Sequence, residues 1–191
     1  MNTLSLIFHA IFLVSSTFYS FATSMQSLYM QDLIKSSHAI VHGQFLSQEP
    51  LIWKNKQWTR LKFRIISFLK GDGSSDIEII QPGGQNGKYR TIVAGTRRFI
   101  PETHYCLFLW NGPENKKQVI GYSQGSFTLE LSDSDWIFKP DSKNYSLQKP
   151  MIMKSKLRAQ IQDKDSTENK LTHFYTKRSL TNLRELIATY E

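Results

Sequence analysis

Leu61-Lys62-Phe63-Arg64-Ile65-Ile66-Ser67-Phe68-Leu69 alternates apolar and charged side chains over its first five positions. Successive side chains of a strand point to opposite faces, so this pattern predicts a half-buried β-strand. Lys70-Gly71-Asp72-Gly73 predicts the turn that ends it, and Asp76-Ile77-Glu78-Ile79-Ile80 a further strand closed by Pro82-Gly83-Gly84. Upstream, Ala39-Ile40-Val41-His42-Gly43-Gln44-Phe45-Leu46 is rich in β-formers and predicts a strand with a bulge at Gly43. Downstream, Tyr105-Cys106-Leu107-Phe108-Leu109-Trp110 reads as a buried strand, stopped by Asn111-Gly112-Pro113. Residues 119–122 and 126–131 supply two more strands around Gly125. Helical periodicity is absent between residues 37 and 138. The expected fold is mainly β, a small OB-like barrel or sandwich.

Helices are expected at both ends of this domain. Leu28, Leu33 and Ile34 sit near helical spacing in residues 25–36, which predicts a short N-terminal helix. At the other end Leu180, Leu183 and Ile187 share a helical face with Leu186 beside them, and Ser179 or Thr181 supplies a cap. Between the regions the charge changes. Residues 23–138 carry 13 basic and 10 acidic side chains, whereas residues 139–191 carry 11 basic and 6 acidic with few apolar positions before the end. The expected organisation is a signal over 1–22, a β-barrel-like domain over 23–138, and a basic connector with the C-terminal helix over 139–191.

The whole chain has 191 residues, a formal net charge of +8 and 40% hydrophobic residues. A chain this long and this apolar buries about two-thirds of its unfolded surface, which excludes a disordered or collagen-like class. Residues 1–22 contain no charged side chain, and residues 4–14 form an apolar stretch too short to span a bilayer. Ser20-Phe21-Ala22 then places small side chains where signal peptidase needs them. The expectation is periplasmic or secreted localisation after cleavage near Ala22, the alternative being a short apolar helix buried in the domain. No later segment is apolar enough to cross a membrane. The single cysteine, Cys106, lies in an apolar run, which predicts a buried and inert thiol and argues for a bacterial setting.

Catalytic and cofactor patterns are incomplete. His38 and His42 are four apart on an extended segment, roughly 13 Å between them, too far to share one metal ion. Pro82-Gly83-Gly84-Gln85-Asn86-Gly87-Lys88-Tyr89 has Pro82 where a phosphate loop needs its leading glycine and Tyr89 where it needs Ser or Thr, so its glycines are expected to serve a turn. No metal and no cofactor is expected. Gly121-Tyr122-Ser123-Gln124-Gly125 satisfies the nucleophile-elbow string. An elbow needs a strand leading into a helix, and a strand is expected after Gly125 instead. A serine-type hydrolase using Ser123 with His104 or His42 is therefore an alternative, and a non-enzymatic binding module the leading expectation. Trp53, Trp58, Arg97 and Arg98 provide stacking and charge, but the basic residues are scattered along the sequence. Anionic envelope polymers or membrane surfaces are the simpler targets, and no nucleic acid is expected. Asn144-Tyr145-Ser146 fits a glycosylation acceptor.

The order of the motifs carries a resemblance. Ser36-Ser37-His38-Ala39-Ile40-Val41-His42-Gly43, Phe68-Leu69-Lys70-Gly71 and Ile80-Gln81-Pro82-Gly83-Gly84 are followed by Val93-Ala94-Gly95, Tyr105-Cys106-Leu107-Phe108-Leu109 and Ile120-Gly121-Tyr122-Ser123-Gln124-Gly125-Ser126-Phe127. Over residues 35–130 this resembles a group of uncharacterised exported bacterial proteins, some with a matrixin-type metalloprotease in the same chain or its neighbourhood. More distantly it is similar to netrin-like and metalloproteinase-inhibitor modules, which have a five-stranded OB-type barrel. The resemblance implies a barrel and, as a further alternative, a regulator of a matrixin-type protease. Those inhibitors chelate zinc through a mature N-terminal cysteine, where this chain has Thr23-Ser24-Met25, and His38 stands where the group has Asn or Asp. The expected partner is an envelope polymer or a secreted or periplasmic protein.

Overall fold

A computed structural model describes residues 26–139 and 165–190, with side chains omitted at 165–168. The expected signal, its cleavage site after Ala22 and the Asn144 acceptor lie outside the described residues.

The chain enters through a short helix, α1 (Met30–Ser36), then forms β1 (Ala39–Trp53), β2 (Lys56–Lys70), β3 (Asp76–Pro82), β4 (Gly84–Asn86), β5 (Tyr89–Thr91), β6 (His104–Asn111), β7 (Lys117–Val119), β8 (Ser126–Ser132) and β9 (Asp135–Phe138). Helices α2 (Asp165–Lys177) and α3 (Leu180–Ile187) follow. Neighbouring strands run β1-β2-β3-β7-β6-β8-β9, and β1 also pairs with β6. Five strands thus return on themselves as β1-β2-β3-β7-β6-β1, with β8 and β9 added outside β6. The seam is thin: β3 and β7 run parallel and meet through Ile79 and Lys117. The fold is mainly β, as the alternation around Phe63 predicts.

Closing strands into a ring leaves each with an inner and an outer face. Leu61, Phe63 and Ile65 of β2 point inward and join Val41, Phe45, Ile77, Ile79, Tyr105, Leu107 and Leu109 in an inner core. Phe63 is central, with ring centroids 5.2 Å from Phe45, 5.3 Å from Phe99 and 6.3 Å from Tyr105. The alternate residues of β1 and β6, Ile40, Cys106 and Phe108, belong to an outer core under the helices. There they meet Met30, Leu33 and Ile34 of α1, Leu171 and Phe174 of α2, and Leu183, Leu186 and Ile187 of α3. The unbroken apolar run of β6 has this cause: both of its faces are covered.

Gly43 sits at a register shift between β1 and β2, and an added Cβ would lie 3.1 Å from Ile65 Cδ1. Three elements differ from expectation. The β1–β2 hairpin runs beyond Leu46 to Trp53, through a turn at Lys54 and Asn55 with φ of 49° and 58°. Left-handed conformations at both turn positions match the twist of paired strands. Residues 120–125 leave β7 through a 3₁₀ turn (Tyr122–Gly125) rather than continuing as a strand. Finally, helix begins at Asp165, inside the stretch expected to be connector, because Leu171, Phe174 and Tyr175 find burial on the outer core.

Helix α3 is capped as expected: Ser179 Oγ accepts the Asn182 N–H at 3.2 Å. Its start is tied to the sheet through an Ile137–Ser179 bridge and the Phe138 N–H donating to Arg178 O at 2.8 Å.

Candidate functional site

The two histidines proposed as hydrolase partners do meet. In the β1–β6 register His42 faces Cys106 while His104 faces Gln44, so the histidines are diagonal neighbours on the outer face. His42 Nε2 lies 2.9 Å from His104 Nδ1, one nitrogen donating and the other accepting. Trp136 of β9 covers both, 4.3 Å from the His104 ring and 4.7 Å from that of His42. His42 is only 2% exposed. Burial, reinforced by the neighbouring His104, pushes its pKa down to about 4. Burial also lowers that of His104, against the opposing pull of Glu102. Near neutrality this is an uncharged hydrogen-bonded pair.

Ser123 is not part of it. It lies in the 3₁₀ turn after β7, where its N–H donates to Gly95 O at 2.9 Å and its carbonyl accepts from Ser126 Oγ. The turn runs directly into β8, a strand, rather than into the helix an elbow needs. Cys106, buried opposite His42, has its thiol pKa pushed far up by desolvation. Among the described residues no three metal-type side chains come together.

A different site forms at the end of the ring where β2 and β3 meet the segment leading to β6. Pro82 is followed by Gly83 and Gly84 with φ of +86° and +132°, which swing the chain out into the β4–β5 hairpin. Gly84 is required there, since a Cβ would lie 2.3 Å from Thr59 Oγ1. Between this hairpin, the β1–β2 hairpin and residues 92–98 lies a cleft of about 350 Å³. Arg90, Arg97, Arg98, Gln48, Gln81 and Gln85 contribute to its walls, and no carboxylate lines it.

The arginines divide the labour. Arg97 is built into the wall: Nη1 donates to Ser126 O at 2.6 Å, Nη2 donates to Thr128 Oγ1, and the guanidinium lies over Tyr105 at 5.3 Å. Gln81 Nε2 donates to the Arg97 carbonyl. Arg90 and Arg98 are exposed and make no ion pair among the described residues. Their guanidiniums present planar donors suited to phosphate or carboxylate oxygens. The threonine hydroxyls lining the cleft donate within the protein, Thr59 to Gly83 O and Thr96 to Val93 O, both at 2.8 Å.

Of this cleft the sequence points to Arg97 and Arg98 within a scattered basic excess, and to Pro82, Gly84 and Gln85 only as part of an incomplete phosphate-loop string expected to form a turn. A usable signal was present: residues 79–101 carry four basic side chains and no acidic one. Trp53 and Trp58, read alongside those arginines, pair with each other at 5.0 Å, and Trp53 Nε1 donates to Glu114. A second recess of about 380 Å³, lined by His38, Trp110, Ile120 and Tyr122 among others, is largely apolar. No protein-family model matches the chain, and no curated protein matches it either.

Proposed function

We propose that the protein is an exported, non-enzymatic binding module that holds an anionic group of its partner in the Arg90–Arg98 cleft. The observation that carries this reading is three arginines and several amides converging on one cleft without a carboxylate. The exposed positive charge of Arg90 and Arg98 in a walled recess concentrates field and attracts anions, and exposed arginines form paired hydrogen bonds to oxyanions. We read the ring as OB-type, on its strand order and its parallel β3–β7 pair. Export rests on the reading of residues 1–22. Among the described residues no helix is long and apolar enough to cross a membrane. The geometry offers the serine-hydrolase alternative no support, since the histidines bond each other.

Titration of the purified protein with soluble polyphosphate at low salt tests the proposal. Saturable binding that weakens with salt and is lost in an Arg90→Ala/Arg98→Ala variant of unchanged thermal stability is expected. Equal binding by that variant would refute the cleft as the site.

A further inference from the structure

The cleft does not stand alone at its end of the molecule. Ile52 pairs directly with Gln57 across the β1–β2 hairpin, so their side chains share a face. Gln57 Nε2 donates to Tyr89 O at 3.3 Å, and Thr91 Oγ1 donates to Gln57 Oε1. These bonds hold the tips of the β1–β2 and β4–β5 hairpins side by side. Three large apolar side chains project there: Ile52 is 56% exposed, Tyr89 80% and Ile92, which lines the cleft, 76%.

The segments around them are predominantly basic. Residues 50–71 carry six basic side chains and residues 79–101 four, with no acidic residue in either segment. Lys54, Lys56, Lys88 and Arg90 lie in the hairpin tips themselves. Carboxylates meet some of these bases: Glu114 lies 3.2 Å from Lys54, Glu49 pairs with Lys62 and Arg60, and Glu78 with Arg60, whereas Lys56, Lys88, Arg90 and Arg98 make no ion pair among the described residues. Single exposed apolar residues are ordinary on a protein surface. Three of them on adjoining tips, interleaved with lysines and set beside an arginine cleft, match a lipid–water interface. Anionic headgroups there attract Lys and Arg, and the acyl boundary accepts apolar side chains. Long lysine stems also let the charge reach headgroups while the methylenes rest on apolar surface. A soluble polyanion would use the arginines but leave Ile52, Tyr89 and Ile92 in water.

We infer that this end of the barrel docks on an anionic membrane surface, a lipid phosphate entering the cleft between Arg90 and Arg98 while Ile52, Tyr89 and Ile92 enter the interfacial layer. The inference rests on the anion-binding reading of the cleft and adds the identity of what presents the anion. No covalent chemistry is involved.

Co-sedimentation of the purified full chain with phosphatidylglycerol/phosphatidylcholine vesicles, and with phosphatidylcholine alone, tests it, with polyphosphate binding measured in parallel. The wild type is expected to sediment with the anionic vesicles only. Ile52→Ser/Tyr89→Ser, both at exposed positions outside the cleft lining, is expected to weaken vesicle binding about tenfold or more while leaving polyphosphate binding intact. Arg90→Ala/Arg98→Ala is expected to lose both. Vesicle binding unchanged in the Ile52→Ser/Tyr89→Ser variant would overturn insertion, leaving mere electrostatic adhesion. Polyphosphate binding without vesicle binding would overturn the membrane inference and leave the cleft reading standing. Absence of both would remove the two together.

Discussion

The histidine pair and the arginine cleft both border β1 and treat positive charge in opposite ways. At His42 the outer face of β1 is sealed by β6, β9 and Trp136, and water is excluded. Desolvation favours the neutral imidazole, so a titratable group remains uncharged and is satisfied by its twin. Further along β1, Gln48 borders a cleft whose walls are polar and carry the exposed guanidiniums of Arg90 and Arg98. The same strand thus runs from a place where charge is suppressed to one where it is collected. The difference teaches which residue type each environment tolerates: a group that can shed its proton where burial is complete, and one that cannot where solvent remains.

The comparison is broken most severely by exchanging the two chemistries. His42→Arg puts a permanent charge beneath Trp136 without a carboxylate partner and is expected to cost about 3–5 kcal/mol, read by denaturant unfolding. A milder version uses protons. The folded pKa of His42 lies below its ordinary value of 6.5, so the unfolded state binds more protons between these limits. The contribution of neutral His42 is therefore complete above pH 6.5 and is lost as the pH falls toward about 4. Its full extent is about 3 kcal/mol, and His42→Leu should flatten that part of the pH–stability curve. An unchanged acid slope in this variant would mean that other groups carry it.

Inside the cleft, the division between built-in and exposed arginine can be sharpened. Arg97→Ala removes charge-assisted bonds to Ser126 O and Thr128 Oγ1 and is expected to destabilise by about 2 kcal/mol. Arg98→Ala is expected to leave the thermal midpoint unchanged and to reduce anion binding alone. Equal stability losses would erase the distinction. The smallest effect is expected away from both regions: Ser179→Ala removes the α3 cap and should cost about 1 kcal/mol, without altering anion affinity.

Much of the barrel was legible because its cause is local. Alternation at Leu61, Phe63 and Ile65 reports one buried face, and the continuous run of β6 reports two. Gly43 and Gly83-Gly84 marked places where a Cβ or a negative φ does not fit. What escaped was weakly patterned or too brief. The Asp135–Phe138 strand is four residues long, and the helix from Asp165 has few apolar positions until Leu171. His42 and His104 were legible as candidates, but their bond depends on a pairing register across 62 positions. The cleft was harder still. Arg90 and Arg98 lie on different segments, and only the path of the chain through Gly83 and Gly84 brings both to one recess.

By itself, then, the sequence determined that this chain builds a sheet with two covered faces, because side-chain periodicity is set by backbone geometry within each strand. Which polar groups meet was decided only by tertiary structure. A ring of strands joins residues far apart in the chain, and the burial it creates holds the His42 imidazole neutral while Arg90 and Arg98 are left exposed beside one recess.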